Sequence, residues 1–472
     1  MRGLAFLAVV ALCHPAWADR AAAEKLAVEA ERSRDDAAFV ACGQAYLELY
    51  NQDPSARDAD EVVFNAARCF QSGKSITAAL SSDAIVLKYF PNSKLAAKSL
   101  VRSGMMYRQI ALFDRAAERF EEYAKKYAGE KDAYDVLADA IQLRAALGDV
   151  EKQVSDTDYF IRTFGTKRPT EAAAVRLALL PVLDGDRAIA LLRGYLKDFA
   201  RVDAAQAIAV HVQLADRLRA KSCPVQSIDQ LCVKAVVDRS PHCGADMASI
   251  VAVKRTAENR EAKAEYLAAI AMFERAPDPS SRHAQAMARV ALADDELETM
   301  IGSTFPRDLE LGGKDNPQQR DSLKRFETWI DGEKKLGTKL AESYSVVLAQ
   351  KDATSSVAAA LRIGQVSMTF WRALMLGEIP KAMRPNPQHD AYCGQLHDIS
   401  DALRARSIDV FQTCLAKANE LDAGQDWAAA CWREGAVLDP LLFAPVRELR
   451  SAPSVIAAPI AVEPPVTSPP LP

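Results

Sequence analysis

Apolar residues recur at the three-and-four spacing of helices along most of the chain. That spacing predicts helices over residues 39–50, 60–72, 131–147, 150–164, 171–180, 187–199 and 204–220. The rhythm stops from Cys223 to Cys243, where Pro224, Ser240-Pro241 and Gly244 punctuate an irregular stretch. It returns with Tyr266, Ala269, Phe273 and Ala276, and a loop over 305–319 then carries Pro306, Gly312-Gly313 and Pro317. Two long helices follow at 320–350 and 353–376, and a Pro-rich insertion lies at 379–388. Residues 452–472 hold a single charge, Glu463, and many prolines; without a face to bury, they read as a disordered, polyproline-prone tail. The expected organisation is an N-terminal segment 1–18, a helical array 19–222, a Cys-containing connector 223–255, a helical region 256–451 and the tail 452–472.

Within the array, one frame repeats. Counting from Ala97, positions 4, 8, 11, 17, 20, 24 and 27 are Leu100, Gly104, Tyr107, Phe113, Ala116, Phe120 and Tyr123. Counting from Asp60, the same frame gives Val63, Ala67, Phe70, Ile76, Ala79 and Val86, with Pro91 at position 32. These registers resemble tetratricopeptide repeats, whose small residues let two helices cross and whose aromatics fill the gap to the next repeat; Tyr123 departs from the pattern, which prefers Ala there. Ala360, Ile363 and Gly364 resemble the first half of another repeat, with Ser407, Phe411 and Cys414 as its second half after the insertion. The resemblance implies an all-α fold, a solenoid of helical hairpins followed by a longer-helix region with degenerate hairpins. Segments such as Arg362-Ile363-Gly364-Gln365, Phe411 to Leu415 and Trp427 to Cys431 are similar to exported tetratricopeptide proteins of myxobacteria, including periplasmic components of gliding motility. That likeness implies an envelope scaffold and carries no catalytic residues.

Composition narrows the choice. Hydrophobic residues make 49% of the 472 and charged residues 26%, which is a globular mix. A net charge of −4 leaves no basic surplus for phosphates, so nucleic acid is not an expected partner. Met1-Arg2, the apolar run from Leu4 to Leu12 and Ala16-Trp17-Ala18 read as a cleavable secretory signal ending before Asp19. Val10-Ala11-Leu12-Cys13 is a poor lipidation motif because Leu12 is not small, so a periplasmic protein is preferred to a lipid-anchored one. No later run is long enough to span a membrane.

Export favours disulfides. Cys42 and Cys69 are equidistant from the 53–58 loop between two predicted antiparallel helices, and Cys414 and Cys431 flank the Asp422-Ala423-Gly424 turn in the same way. Both pairs are expected to bridge. Cys223, Cys232, Cys243 and Cys393 leave three pairings open.

Chemistry-bearing clusters are sparse. His389, Cys393 and His397 form one slanting stripe on a helix and are weak metal candidates, with disulfide or surface roles preferred. Glu121-Glu122 and Asp294-Asp295-Glu296 read as solvated helix faces. No nucleophile elbow, phosphate loop, dinucleotide fingerprint or zinc-protease motif is present, and no cofactor is expected. The leading function is a non-catalytic scaffold for envelope proteins or peptides, gripping them through each repeat's first helix at Asn65, Arg68, Arg102 and Met105. Met106 is assigned to the core. The alternatives are a glycan hydrolase of the cell wall built on helical repeats, needing one embedded acid, and a periplasmic module for a small molecule or metal.

Overall fold

A computed structural model describes residues 19–237, 240–244, 247–311, 316–385 and 387–444. The segment 1–18, expected to be a signal, and the expected tail 452–472 lie outside the described residues. The chain forms two compact units that divide between Ala207 and Ile208.

The first unit holds α1 (Arg20–Ser33), α2 (Asp36–Gln52), α3 (Ala59–Ser72), α4 (Ile76–Tyr89), α5 (Lys94–Gln109), α6 (Phe113–Lys126), α7 (Ala133–Leu147), α8 (Val150–Phe164), α9 (Pro169–Leu177) and α10 (Gly185–Phe199). Each helix packs on the next, and α3 also touches α5, so neighbouring hairpins stack. Side-chain caps open several of them: Asp35 accepts from Ala38 N, Ser93 from Leu95 N and Asp149 from Lys152 N. Gly148, at φ 71°, supplies the left-handed turn that ends α7. Helix α1 has no counterpart among the sequence-derived helices. Its buried stripe is Ala23, Ala27 and Ala30, which packs closely yet gives little apolar contrast.

Small residues set the hairpin crossings. A Cβ placed on Gly104 would lie 2.4 Å from the Phe120 ring, so these positions of the 97-frame meet face to face across α5 and α6. Leu100, Ala116, Phe120 and Tyr123 are all buried.

The second unit holds most of α11 (Ala204–Ser222), a β-hairpin of β1 (Val233–Val236) and β2 (Ser249–Ala252), then α12 (Glu258–Arg275), α13 (Arg282–Ile301), α14 (Pro317–Leu348), α15 (Ala353–Met375), α16 (Gln388–Leu421) and α17 (Gln425–Leu438). The Cys-containing connector 223–255 therefore contains an antiparallel strand pair, Val233 opposite Ala252 and Val236 opposite Ser249. The β-branched residues of Val233-Lys234-Ala235-Val236 suit a half-buried strand. The main core runs from Leu231 through α13, α14 and α15 to Phe443. Here Gly364 of α15 receives the ring of Phe411 from α16, again with 2.4 Å between an added Cβ and the ring. Residues 388–406 lengthen α16 by several turns before that contact. Among the described residues, no helix is long and apolar enough to cross a membrane.

Four disulfides join Cys42 to Cys69, Cys223 to Cys232, Cys243 to Cys393 and Cys414 to Cys431. The first links α2 to α3 and the last links α16 to α17. Cys243–Cys393 closes the largest separation, 150 residues, and ties the segment between β1 and β2 to the start of α16.

Candidate functional site

Ion pairs tie alternate helices together along the array. Arg20 of α1 reaches Asp58 and Glu61, Arg68 of α3 lies 3.8 Å from Glu31, and Arg108 of α5 meets Asp139 of α7 at 3.3 Å. These pairs are exposed and weak individually. They locate the first helices of successive hairpins on a common face. Asn65 is half-buried there, whereas Arg68 and Met105 are exposed. Arg102 points inward instead. Its guanidinium grips buried Asp83 of α4 through Nε at 2.9 Å and through Nη2, and it stacks over the Phe64 ring at 4.1 Å. Asp83 occupies position 24 of the 60-frame, where the next hairpin has Phe120. An acid in that interior slot draws the arginine in from the groove. Burial raises the Asp83 carboxyl above the usual carboxylate range, and Arg102 opposes that. Met106 is fully buried.

Four exposed apolar side chains stand close together in sequence about the α5–α6 turn, Met105 (48% exposed), Ile110, Leu112 and Phe113 (40%), while Val28, Tyr89 and Val182 are exposed singly elsewhere in the unit. Leu147, at the end of α7, is exposed as well. In an up-and-down array the α5–α6 and α7–α8 turns fall at the same end of their hairpins.

The His389/Cys393/His397 stripe does lie on α16, but Cys393 spends its sulfur on the bridge to Cys243 and has no thiolate to offer. His389 pairs with Asp390 at 3.2 Å, and His397 is exposed.

The acidic run on α13 is a correction to the surface reading. Asp294 is 1% exposed and Glu298 is buried. Asp294 takes Arg362 of α15 in a two-pronged pair, Nε and Nη2 each at 2.8 Å, and accepts from Tyr344 of α14 at 2.8 Å. Asp295 holds Arg219 of α11, with Asn259 at 3.0 Å and Lys263 at 2.8 Å. Glu298 holds Arg255 at 2.6 Å and Arg219 at 3.1 Å, and accepts from Cys232 N at 2.9 Å. Burial alone would raise Asp295; Arg219, Lys263 and Asn259 outweigh it and hold the carboxyl below its usual value. One helix thus clamps α11, α12, α14, α15 and the segment before the hairpin. In the first unit Glu121, also read as surface, is mostly buried and binds Arg144 at 2.6 Å.

Beside this network lies a cavity of about 1190 Å³, entirely within the second unit. Its walls come from the β-hairpin, residues 300–305, one face of α15 and the 433–437 turn of α17. Met247, Ile250, Met300, Phe305, Met368 and Leu376 give it an apolar lining. Gln365 links the network to the cavity: it accepts from Arg362 Nη1 at 2.7 Å and donates to Glu434 at 3.0 Å. Arg372 also lines the cavity. Its Nη2 lies 3.9 Å from Glu434, and its buried Nε has no hydrogen-bond partner. Burial lowers the Arg372 guanidinium, and Glu434 offsets this only in part. No residue spacing in the sequence announced this cavity, because its walls come from four separate segments.

A further buried acid, Glu333 on α14, is raised by burial and leaves Oε2 without a hydrogen bond. It does not line the cavity.

No family model matches the chain, and no curated protein matches it. Several solved helical structures are similar at low level. A Rap protein complexed with competence and sporulation factor is 12% identical with a TM-score of 0.24, covering 89% of this chain and 99% of that one. Naa15/Naa10 bound to HypK-THB is 11% identical with a TM-score of 0.20, covering 90% and 72%. A circular tandem repeat protein is 10% identical with a TM-score of 0.17, covering 88% and 87%. Likenesses of that size leave function to be argued from the chain itself.

Proposed function

We propose that this chain is a non-catalytic scaffold that works after export, in the periplasm, and holds another envelope protein or peptide against the stacked hairpins of its first unit. The observation that carries this reading is the exposed apolar group Met105, Ile110, Leu112 and Phe113, set on a rigid frame of packed helices. Contiguous exposed apolar surface marks interaction sites, and methionine adapts to varied partners. Arg68 and the exposed Arg108–Asp139 pair give this surface a polar rim. Arg102 is withdrawn from the proposed contact, since Asp83 holds it inside.

The reading as a non-enzyme is supported by the state of the buried acids. Asp83, Asp294, Asp295 and Glu298 are each engaged by arginine, which ties these four buried acids to packing and away from acid/base chemistry. Export is supported by the pairing of all eight cysteines beyond the 1–18 segment. The place in envelope assembly or gliding motility is taken from the sequence resemblance.

The test is capture of periplasmic partners by the tagged full chain, compared with Met105→Glu/Phe113→Glu. The charges should abolish capture while the circular dichroism spectrum stays unchanged. Retained capture would remove this surface as the interface. Release of fragments from purified peptidoglycan by the wild-type chain would overturn the non-catalytic reading.

A further inference from the structure

We propose that the second-unit cavity binds an amphipathic organic anion, with its hydrocarbon body against the methionine and phenylalanine walls and its anionic head on Arg372. The site is separate from the apolar surface of the first unit and does not depend on partner binding there.

Three observations on the page converge on this ligand. The first is size and lining. Ligand sites commonly enclose about 300–1000 Å³ with mostly apolar walls and a few placed polar groups; this cavity, at about 1190 Å³, takes a molecule of lipid size. Met247 contributes an unbranched, polarisable side chain that follows the shape of a flexible chain, over a floor formed by buried Met300 and Met368.

The second is the state of Arg372. A buried polar atom without a partner carries a desolvation cost, larger when the group is charged; of the sixteen such side-chain atoms among the described residues, only Arg372 Nε belongs to a residue of the cavity wall. The guanidinium's ion-pair neighbour among the described residues, Glu434, stands at 3.9 Å and gives its other carboxylate oxygen to Gln365. The two arginines of α15 are therefore unequal. Arg362 is saturated by Asp294, Gln365 and the Asp229 carbonyl, whereas Arg372, in the wall of the cavity, retains a donor for a ligand. A carboxylate or phosphate oxygen on the guanidinium would supply the charge-assisted bond that Glu434, at 3.9 Å, does not.

The third is rigidity. The wall opposite α15 is held by Gly244 N donating to Met375 O at 2.8 Å and Ile379 N donating to Pro241 O at 2.9 Å, with Cys243–Cys393 beside them. Pro241, Cys243 and Gly244 are thereby held against the end of α15, the residues that follow it and the start of α16.

The experiment uses the oxidised full chain and titrates cis-parinaric acid, a fluorescent acyl carboxylate, followed by displacement with palmitate, palmitoyl-lysophosphatidate and hexadecanol. The expected result is saturable binding, displacement by at least one anion, and at least tenfold weaker displacement by the alcohol. Preference for palmitate assigns a free acid; preference for the lysophosphatidate assigns a phosphate-headed lipid. Arg372→Gln should weaken the anions at least tenfold and leave the alcohol unchanged. Ala373→Phe, which fills the cavity from the α15 wall and retains Arg372, should abolish all binding. Absence of binding by the wild-type chain, or equal displacement by acid and alcohol, overturns the proposal. If Arg372→Gln does not fold, the wild-type comparison of acid with alcohol and the Ala373→Phe variant decide it.

Discussion

The two units handle buried charge in different ways. In the first, the two buried arginines pair with immediate neighbours: Asp83 of α4 with Arg102 of α5, and Glu121 of α6 with Arg144 of α7. In the second, three acids of α13 gather Arg219, Arg255 and Arg362 from segments spread over the sequence. A repeat array needs only nearest-neighbour terms to stack. The second unit has helices of unequal length and a strand pair, so no common spacing sets its packing. There the α13 acids select one arrangement, since any other would leave a buried charge unpaired. The disulfides follow the same division. Cys42–Cys69 spans 27 residues and joins two successive helices, and Cys243–Cys393 spans 150.

That contrast is open to experiment. Apart from Trp17 in the 1–18 segment, the tryptophans Trp329, Trp371, Trp427 and Trp432 belong to the second unit, so in a chain prepared without that segment tryptophan fluorescence reports its unfolding alone, while circular dichroism reports both units. The largest effect is expected for Cys243→Ser/Cys393→Ser. Chain entropy puts the loss at about 5 kcal/mol, against about 3.5 kcal/mol for the Cys42/Cys69 pair. Urea melts should place the first loss in the fluorescence transition. Next is Arg362→Met, which strands Asp294 and should cost the second unit about 3–5 kcal/mol. Asp83→Ala should cost the first unit a similar amount, about 3 kcal/mol, yet Asp83→Leu/Arg102→Met should come within about 1 kcal/mol of wild type, because a two-body pair is replaceable by apolar packing. If the double variant is as unstable as the single, the first unit's pair is tied into a wider network and the contrast fails. Smaller again are Gly104→Ala and Gly364→Ala. Each presses a methyl onto a phenyl ring and should cost about 1–3 kcal/mol in its own unit.

The smallest effect concerns Asp156 of α8. Burial, with a further push from Glu121, raises its carboxyl to about 6, and Lys125 opposes the shift. The folded chain then binds this proton at a higher pH than the unfolded chain does. Its contribution is present below the unfolded carboxylate range and is lost as pH rises from about 4 through about 6. Between pH 4 and 7 the wild-type first unit should lose on the order of 1 kcal/mol relative to Asp156→Asn. Melts at several pH values, read by circular dichroism, check the sign.

The legible part of the fold was the part with a period. Gly104 and Phe120, and again Gly364 and Phe411, meet as their frame positions require, and the symmetric cysteines about two turns are bonded. Arg102 was misplaced because its surroundings depend on another repeat. Asp83 at an aromatic position was the available signal, since an acid in an interior slot demands a cation nearby. The α13 acids carried a similar signal. Asp294 and Glu298 are four apart and share the helix face of Val290 and Leu297, which are buried. Helix α1 was invisible because alanine alone marks its buried stripe. The cavity was invisible because the hairpin, the 300–305 segment, α15 and α17 share no common repeat.

The central claim is that the first unit grips a protein partner at the apolar turn between α5 and α6. The most direct measurement places a photo-cross-linking residue at Phe113 in living cells, with Asp114 and Glu118 on the same helix as reference positions. The account predicts one dominant cross-linked species from position 113, weak or absent at 118, and lost when Met105→Glu is added. Equal cross-linking at all three positions, or none at 113, would contradict it.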